Sequence, residues 1–102
     1  MDINEMMQQA QMMQLELARA QDEIKEMKHT ATSGGGMVKV TALGDGTIES
    51  IEIDPEAVDP DDVEMLQDML LVAVNEALRG VAQAGEERMS AVTGGLNIPG
   101  LF

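Results

Sequence analysis

Apolar residues recur through the first quarter of the chain at Ile3, Met6, Ala10, Met13, Leu17, Ala20, Ile24 and Met27, in alternating steps of three and four. That spacing puts them on one narrow helical stripe and predicts a heptad helix over residues 1–28. Met7, Met12 and Leu15 widen the stripe near its start, and Gln and Glu fill most outward positions. A narrow stripe suits a coiled-coil-like contact with another helix, so the helix is expected to project. The alternative is an amphipathic helix laid back on its own sheet. After Lys28 the chain turns polar and β-branched through His29, Thr30, Ala31, Thr32 and Ser33, which reads as a short edge strand, and Gly34-Gly35-Gly36 then reads as a turn. From Met37 to Asp54, two runs rich in Val, Ile and Thr flank Asp45-Gly46. An Asp-Gly pair between such runs predicts a β-hairpin closed by a two-residue type I′ turn.

The turn sets the register. With Asp45 and Gly46 at the tip, Val40 faces Ile51 and Val38 faces Ile53, and alternation puts all four on one side, the expected core face. The other side pairs Lys39 with Glu52 and Thr41 with Ser50, and it is expected to meet water or a partner. A lone hairpin is marginal in water, so the sheet over residues 29–54 is expected to carry a third strand and a helix on its apolar side.

Asp54-Pro55-Glu56-Ala57-Val58 connects to Asp59-Pro60-Asp61-Asp62, a helix start in which Asp59 is expected to cap and Pro60 to take the first helical position. The helix is expected over residues 59–93, with its body from about Val63 to about Val92. Within it Met69 to Val74, MLLVAV, is apolar all round and must be covered on more than one side. One side can pack on the sheet; the other needs the opening helix or a second subunit, which makes Met69, Leu70, Leu71, Val74 and Leu78 the candidate dimer contacts. Gly80 and Gly85 mark either a bend or a close helix crossing. Residues 94–102 form an apolar tail after the Gly94-Gly95 stop, expected to dock on its own subunit or its mate. The order of elements gives an α+β fold, and 102 residues make one domain, small enough for self-association to be the natural way to hide more apolar surface.

Composition narrows the chemistry. Without cysteine there is no disulfide, thiolate metal site or thiol nucleophile, in keeping with a reducing compartment. His29 is the only histidine and lacks a second ligand of its kind; it reads as a solvent-facing residue at a helix end. The clustered acids at 59–62 lack the spacing of a calcium loop and read as capping groups. Ser33, Ser50 and Ser90 have no base in view. The chain therefore reads as a non-enzyme, with no cofactor and no metal. An acidic start without an apolar run is not expected to be a signal peptide, and no stretch is long enough to span a bilayer, so a cytoplasmic protein is expected. The net charge of -13 works against nonspecific attraction to phosphate polymers, and a single aromatic, Phe102, leaves no stacking platform for single-stranded bases.

Several stretches together resemble the YbaB/EbfC family of bacterial nucleoid-associated proteins, over nearly the whole chain. They are Met6-Met7-Gln8-Gln9-Ala10-Gln11, then Gly34-Gly35-Gly36-Met37-Val38-Lys39-Val40-Thr41, then Ile51-Glu52-Ile53-Asp54-Pro55. Further on come Asp62-Val63-Glu64-Met65-Leu66-Gln67-Asp68, Ala73-Val74-Asn75-Glu76-Ala77-Leu78-Arg79, and Gly94-Gly95-Leu96-Asn97-Ile98-Pro99-Gly100-Leu101-Phe102. The resemblance implies a small antiparallel sheet, a tweezer-shaped homodimer and binding to double-stranded DNA in the nucleoid. The sequence departs from the family in its cations: where members carry lysines in the opening helix, this chain has Gln8, Gln9, Gln11 and Gln14, and after Arg79 it runs Gly80-Val81-Ala82-Gln83. Six cations against nineteen acids leave few phosphate contacts to choose from. The DNA-binding candidates are Arg19, Lys25 and Lys28 at the end of the opening helix, where Lys25 and Lys28 would be neighbours, followed by Lys39, Arg79 and Arg88. A non-enzymatic protein-interaction module, using the heptad helix or the apolar tail to recruit a partner such as a recombination protein, is the alternative.

Overall fold

The computed structural model describes residues 2–94. The chain is α+β: helix α1 (Ile3–Glu26), strands β1 (Lys28–Ser33), β2 (Val38–Leu43) and β3 (Ile48–Ile53), and helix α2 (Val63–Gly94). All but Gly94 of the tail expected over residues 94–102 lies outside the described residues.

Asp2 caps α1 by accepting the Asn4 amide at 3.1 Å. The helix stops at Glu26 because Met27 is already extended, at φ -64 and ψ 146, and feeds directly into β1. The heptad pattern suggested a helix as far as residue 28. Lys28 is instead the first residue of a strand, and its helical adjacency to Lys25 is lost.

The three strands form an antiparallel sheet in the order β1-β2-β3, with Val38 opposite Ile53, Val40 opposite Ile51, Lys39 opposite Glu52 and Thr41 opposite Ser50. That register agrees with the one expected, but the turn that closes it does not. Leu43 donates its amide to the Thr47 carbonyl at 2.8 Å, and the Gly46 amide donates to the Leu43 carbonyl at 3.0 Å. Gly46 alone in this turn has positive φ, at 87°, whereas a type I′ turn would also need it at Asp45. The loop is therefore a three-residue Gly44-Asp45-Gly46 connection built on a type I turn with glycine in the left-handed position. Such a loop shifts the pairing by one residue, and a bulge between Thr41 and Ala42, where Ala42 meets Ile48, restores it.

The core is thin. Ala31, Val38, Val40, Ala42, Ala73, Ala77 and Val81 are its buried members, flanked by half-buried Met27, Ile48, Leu66, Met69, Leu70, Val74 and Leu78. So many alanines let α2 approach closely, and it lies along β1 and β2. Ser33 Oγ donates to the Met69 carbonyl at 2.7 Å, and the Met69 side chain rests against Gly34, so the helix is tied to the β1 side. Ile51 and Ile53 share the face of Val38 and Val40, yet they remain 49% and 38% exposed while both valines are fully buried. The expectation that all four belong to the core is corrected: a helix about 10 Å across covers two strands spaced about 4.8 Å apart, and β3 is the third.

Asp62, rather than Asp59, caps α2, accepting the Met65 amide at 3.2 Å. Asp59 and Pro60 form the turn before it, where Asp59 Oδ1 accepts the Asp61 amide at 2.9 Å. Both glycines of α2 serve close packing. The imidazole of His29 lies over Gly80, and a β-carbon at Gly85 would sit 3.0 Å from Ile24 of α1. His29 is thus exposed, as expected, but on a strand and leaning on α2 rather than at a helix end.

α1 runs antiparallel to the second half of α2. Ala20 is buried in the crossing, Ile24 meets Gly85, and Arg88 Nε donates to Glu23 Oε2 at 2.8 Å. The N-terminal half of α1 passes beyond the end of α2, and the molecule measures 72 × 23 × 16 Å. The helix therefore projects as expected, while its other half packs on its own subunit.

Candidate nucleic-acid interface

Strand alternation and helix ends divide the six cations among separate places. Lys28 and Lys39 stand on the sheet face opposite α2, among Thr30, Thr32 and Thr41. There Lys28 Nζ pairs with Glu49 at 2.8 Å and Lys39 Nζ with Glu52 at 3.9 Å, while the Thr30 and Thr41 hydroxyls share a hydrogen bond of 2.8 Å. Arg88 is held by Glu23. Arg19, Lys25 and Arg79 form no ion pair among the described residues. Arg19 and Arg88 come together across the helix crossing, lining an open groove of about 340 Å³ with Glu16, Ala91 and Val92. Lys25 stands at the end of α1 beside Gly44 of the hairpin loop. Arg79 is exposed on α2, next to the Gly80 position that His29 covers.

The candidate dimer residues also divide. Met69, Leu70, Val74 and Leu78 are half-buried against the chain's own core, whereas Leu71 is 61% exposed. Ile51 and Ile53, assigned to the core from the sequence, join Leu71 among the uncovered apolar side chains, as do Val63, Met65 and Val72. A count of apolar strand positions against the width of one helix would have marked the β3 pair as surplus.

The turn perturbs one of its own carboxyls. Asp45 accepts hydrogen bonds from the Thr47 hydroxyl at 2.5 Å and the Thr47 amide at 3.0 Å, and these, the hydroxyl first, hold its carboxyl below the usual range. Among the described residues no cluster of His, Asp and Glu is arranged to hold a metal ion, and no helix is long and apolar enough to cross a membrane.

Residues 1–96 match the sequence profile of the YbaB/EbfC DNA-binding family. A nucleoid-associated protein of Thermoanaerobacter pseudethanolicus is 52% identical over 101 residues, covering 99% of this chain and 91% of its own length. Another, from Desulforamulus reducens, is 54% identical over 101 residues, with 99% and 96% covered. The crystal structure of an uncharacterized protein from Helicobacter pylori superposes with a TM-score of 0.68 at 29% identity, covering 95% of this chain and 99% of that one. Near-complete coverage by the family profile and by relatives above 50% identity, on an α+β frame of helix, antiparallel meander and long helix, shows that this chain belongs to the YbaB/EbfC DNA-binding family.

Proposed function

We propose that this chain acts as a homodimer that binds double-stranded DNA in the nucleoid of the cytoplasm, without catalysis. The observation that carries the DNA reading, beside family membership, is the set of three cations, Arg19, Lys25 and Arg79, that no carboxylate of the described residues neutralises. An ion-paired lysine must break its pair before it meets a phosphate; these three need not. Dimerisation is supported by the thin core and the uncovered Ile51, Ile53 and Leu71, since a chain whose largest fully buried side chains among the described residues are two valines gains from burial against a second copy.

The acidic background fixes the character of the binding. Three free cations per subunit give six in a dimer, for which counterion release predicts a log–log salt slope of about -5, or roughly a thousandfold loss of affinity between 50 and 200 mM salt. An electrophoretic shift titration with duplex DNA at both salt concentrations tests this. A shift at low salt that fades at high salt is expected, and no shift at 50 mM would remove the reading.

A further inference from the structure

The stripe of α1 that packs on α2 does not end where α2 ends. Leu17, Ala20 and Ile24 are covered or half-covered in the crossing, and the groove formed by Glu16 and Arg19 with Ala91 and Val92 puts the last turn of α2 beside the middle of α1. The same heptad positions continue toward the N-terminus at Met13, Ala10, Met6 and Ile3, where Met6 is 54% and Ile3 72% exposed. Met13 is half-buried at the edge of the crossing, and Ile3 to Ala10 spans roughly 12 Å of helix beyond it. The segment that follows α2 starts at this point. Residues 95–102 read Gly-Leu-Asn-Ile-Pro-Gly-Leu-Phe, with four large apolar side chains and no charged one. Eight residues reach at most about 26 Å, enough to run the length of the bare stripe.

We infer that the bare stripe of α1, at Ile3, Met6 and Ala10, is the docking surface for residues 95–102 of the same chain. The tail takes up the stripe where α2 leaves it, so one continuous seam of α1 is covered first by helix and then by tail. Burying Leu96, Ile98, Leu101 and Phe102 there removes apolar surface from water on both partners. Met12 and Leu15, expected from the sequence to widen the stripe, instead stand on the other side of α1, 62% and 65% exposed, and stay uncovered. The inference is independent of the proposed DNA binding and of the proposed dimer contact at β3.

The chain has no cysteine, so introduced pairs report without background. In the full-length chain, Met6→Cys combined with Ile98→Cys should form an intrachain disulfide under mild oxidation. The pair should close about tenfold faster than Met12→Cys with Ile98→Cys, because docking raises the effective concentration on one face only. Both positions on α1 are exposed, so the helix tolerates either change. On a non-reducing gel, an oxidised monomer with the Met6 preference supports the inference. Equal rates at the two positions, or a disulfide that joins two chains, overturns it. A chain ending at Gly94 should also show faster amide exchange over residues 3–13, and unchanged exchange there would count against docking.

Discussion

At Gly44 the hairpin loop passes so near the end of α1 that its amide donates to the Met27 carbonyl at 2.8 Å, and a β-carbon there would fall on the Ile24 carbonyl oxygen. Backbone cannot swing aside as a side chain can, so Gly44→Ala should destabilise by about 1 to 3 kcal/mol or more. Gly35→Ala, at φ 69° but facing open space, should lose only about 1 kcal/mol from the left-handed backbone. Urea unfolding compares them, and equal losses would mean that the loop and helix do not press together. Asp45 adds a pH dependence. Its carboxyl is depressed in the folded state, so its contribution to stability is present above the unfolded aspartate range and is lost as pH falls through the folded value. An NMR titration should find Asp45 protonating at lower pH than in the Thr47→Val variant; coincident curves would separate the turn's hydrogen bonds from that depression.

Most elements are legible in the sequence because each rests on local chemistry. The stripe from Ile3 to Ile24, the β-branched runs around Asp45-Gly46 and the long apolar helix all appear where their periods put them. What misleads is non-local. Periodicity kept α1 running to Lys28, but the Met27 backbone turns extended so that β1 can pair with β2. Alternation put Ile51 and Ile53 on the correct face without revealing that α2 is one strand too narrow to cover them. Val40 and Ile51 face each other, yet they should respond differently. Val40→Ala empties a fully buried site and should lose about 2 kcal/mol or more. Ile51→Ala should cost less than about 1 kcal/mol in dilute, monomeric protein and more where the chain associates. Thermal melts across a concentration series measure both, and a large, concentration-independent loss at Ile51 would place it in the core after all.

For the whole molecule, adjacent leucines on α2 separate folding from assembly. Leu70 packs against the core and Leu71 does not, so Leu70→Glu should unfold the chain, whereas Leu71→Glu should leave a folded monomer in sedimentation and circular dichroism. A folded dimer of Leu71→Glu would move the interface away from that stripe. The proposed DNA contact is less legible than the fold, because sequence lists cations without saying which are already paired. Lys25 and Lys28 looked like one patch on a helix; they stand on different elements, and Lys28 is taken by Glu49. Neutralising Arg19, Lys25 and Arg79 together with Gln, which keeps side chains of moderate length on exposed helix positions, should leave the fold intact. It should also bring the salt slope of DNA binding from about -5 toward zero, since each lost phosphate contact removes about 0.9. Lys28→Gln with Lys39→Gln removes two cations that Glu49 and Glu52 already hold, so the slope should barely change. A reversed result, with the sheet pair setting the slope and the helix triple leaving it unaltered, would put the DNA on the polar face of the sheet.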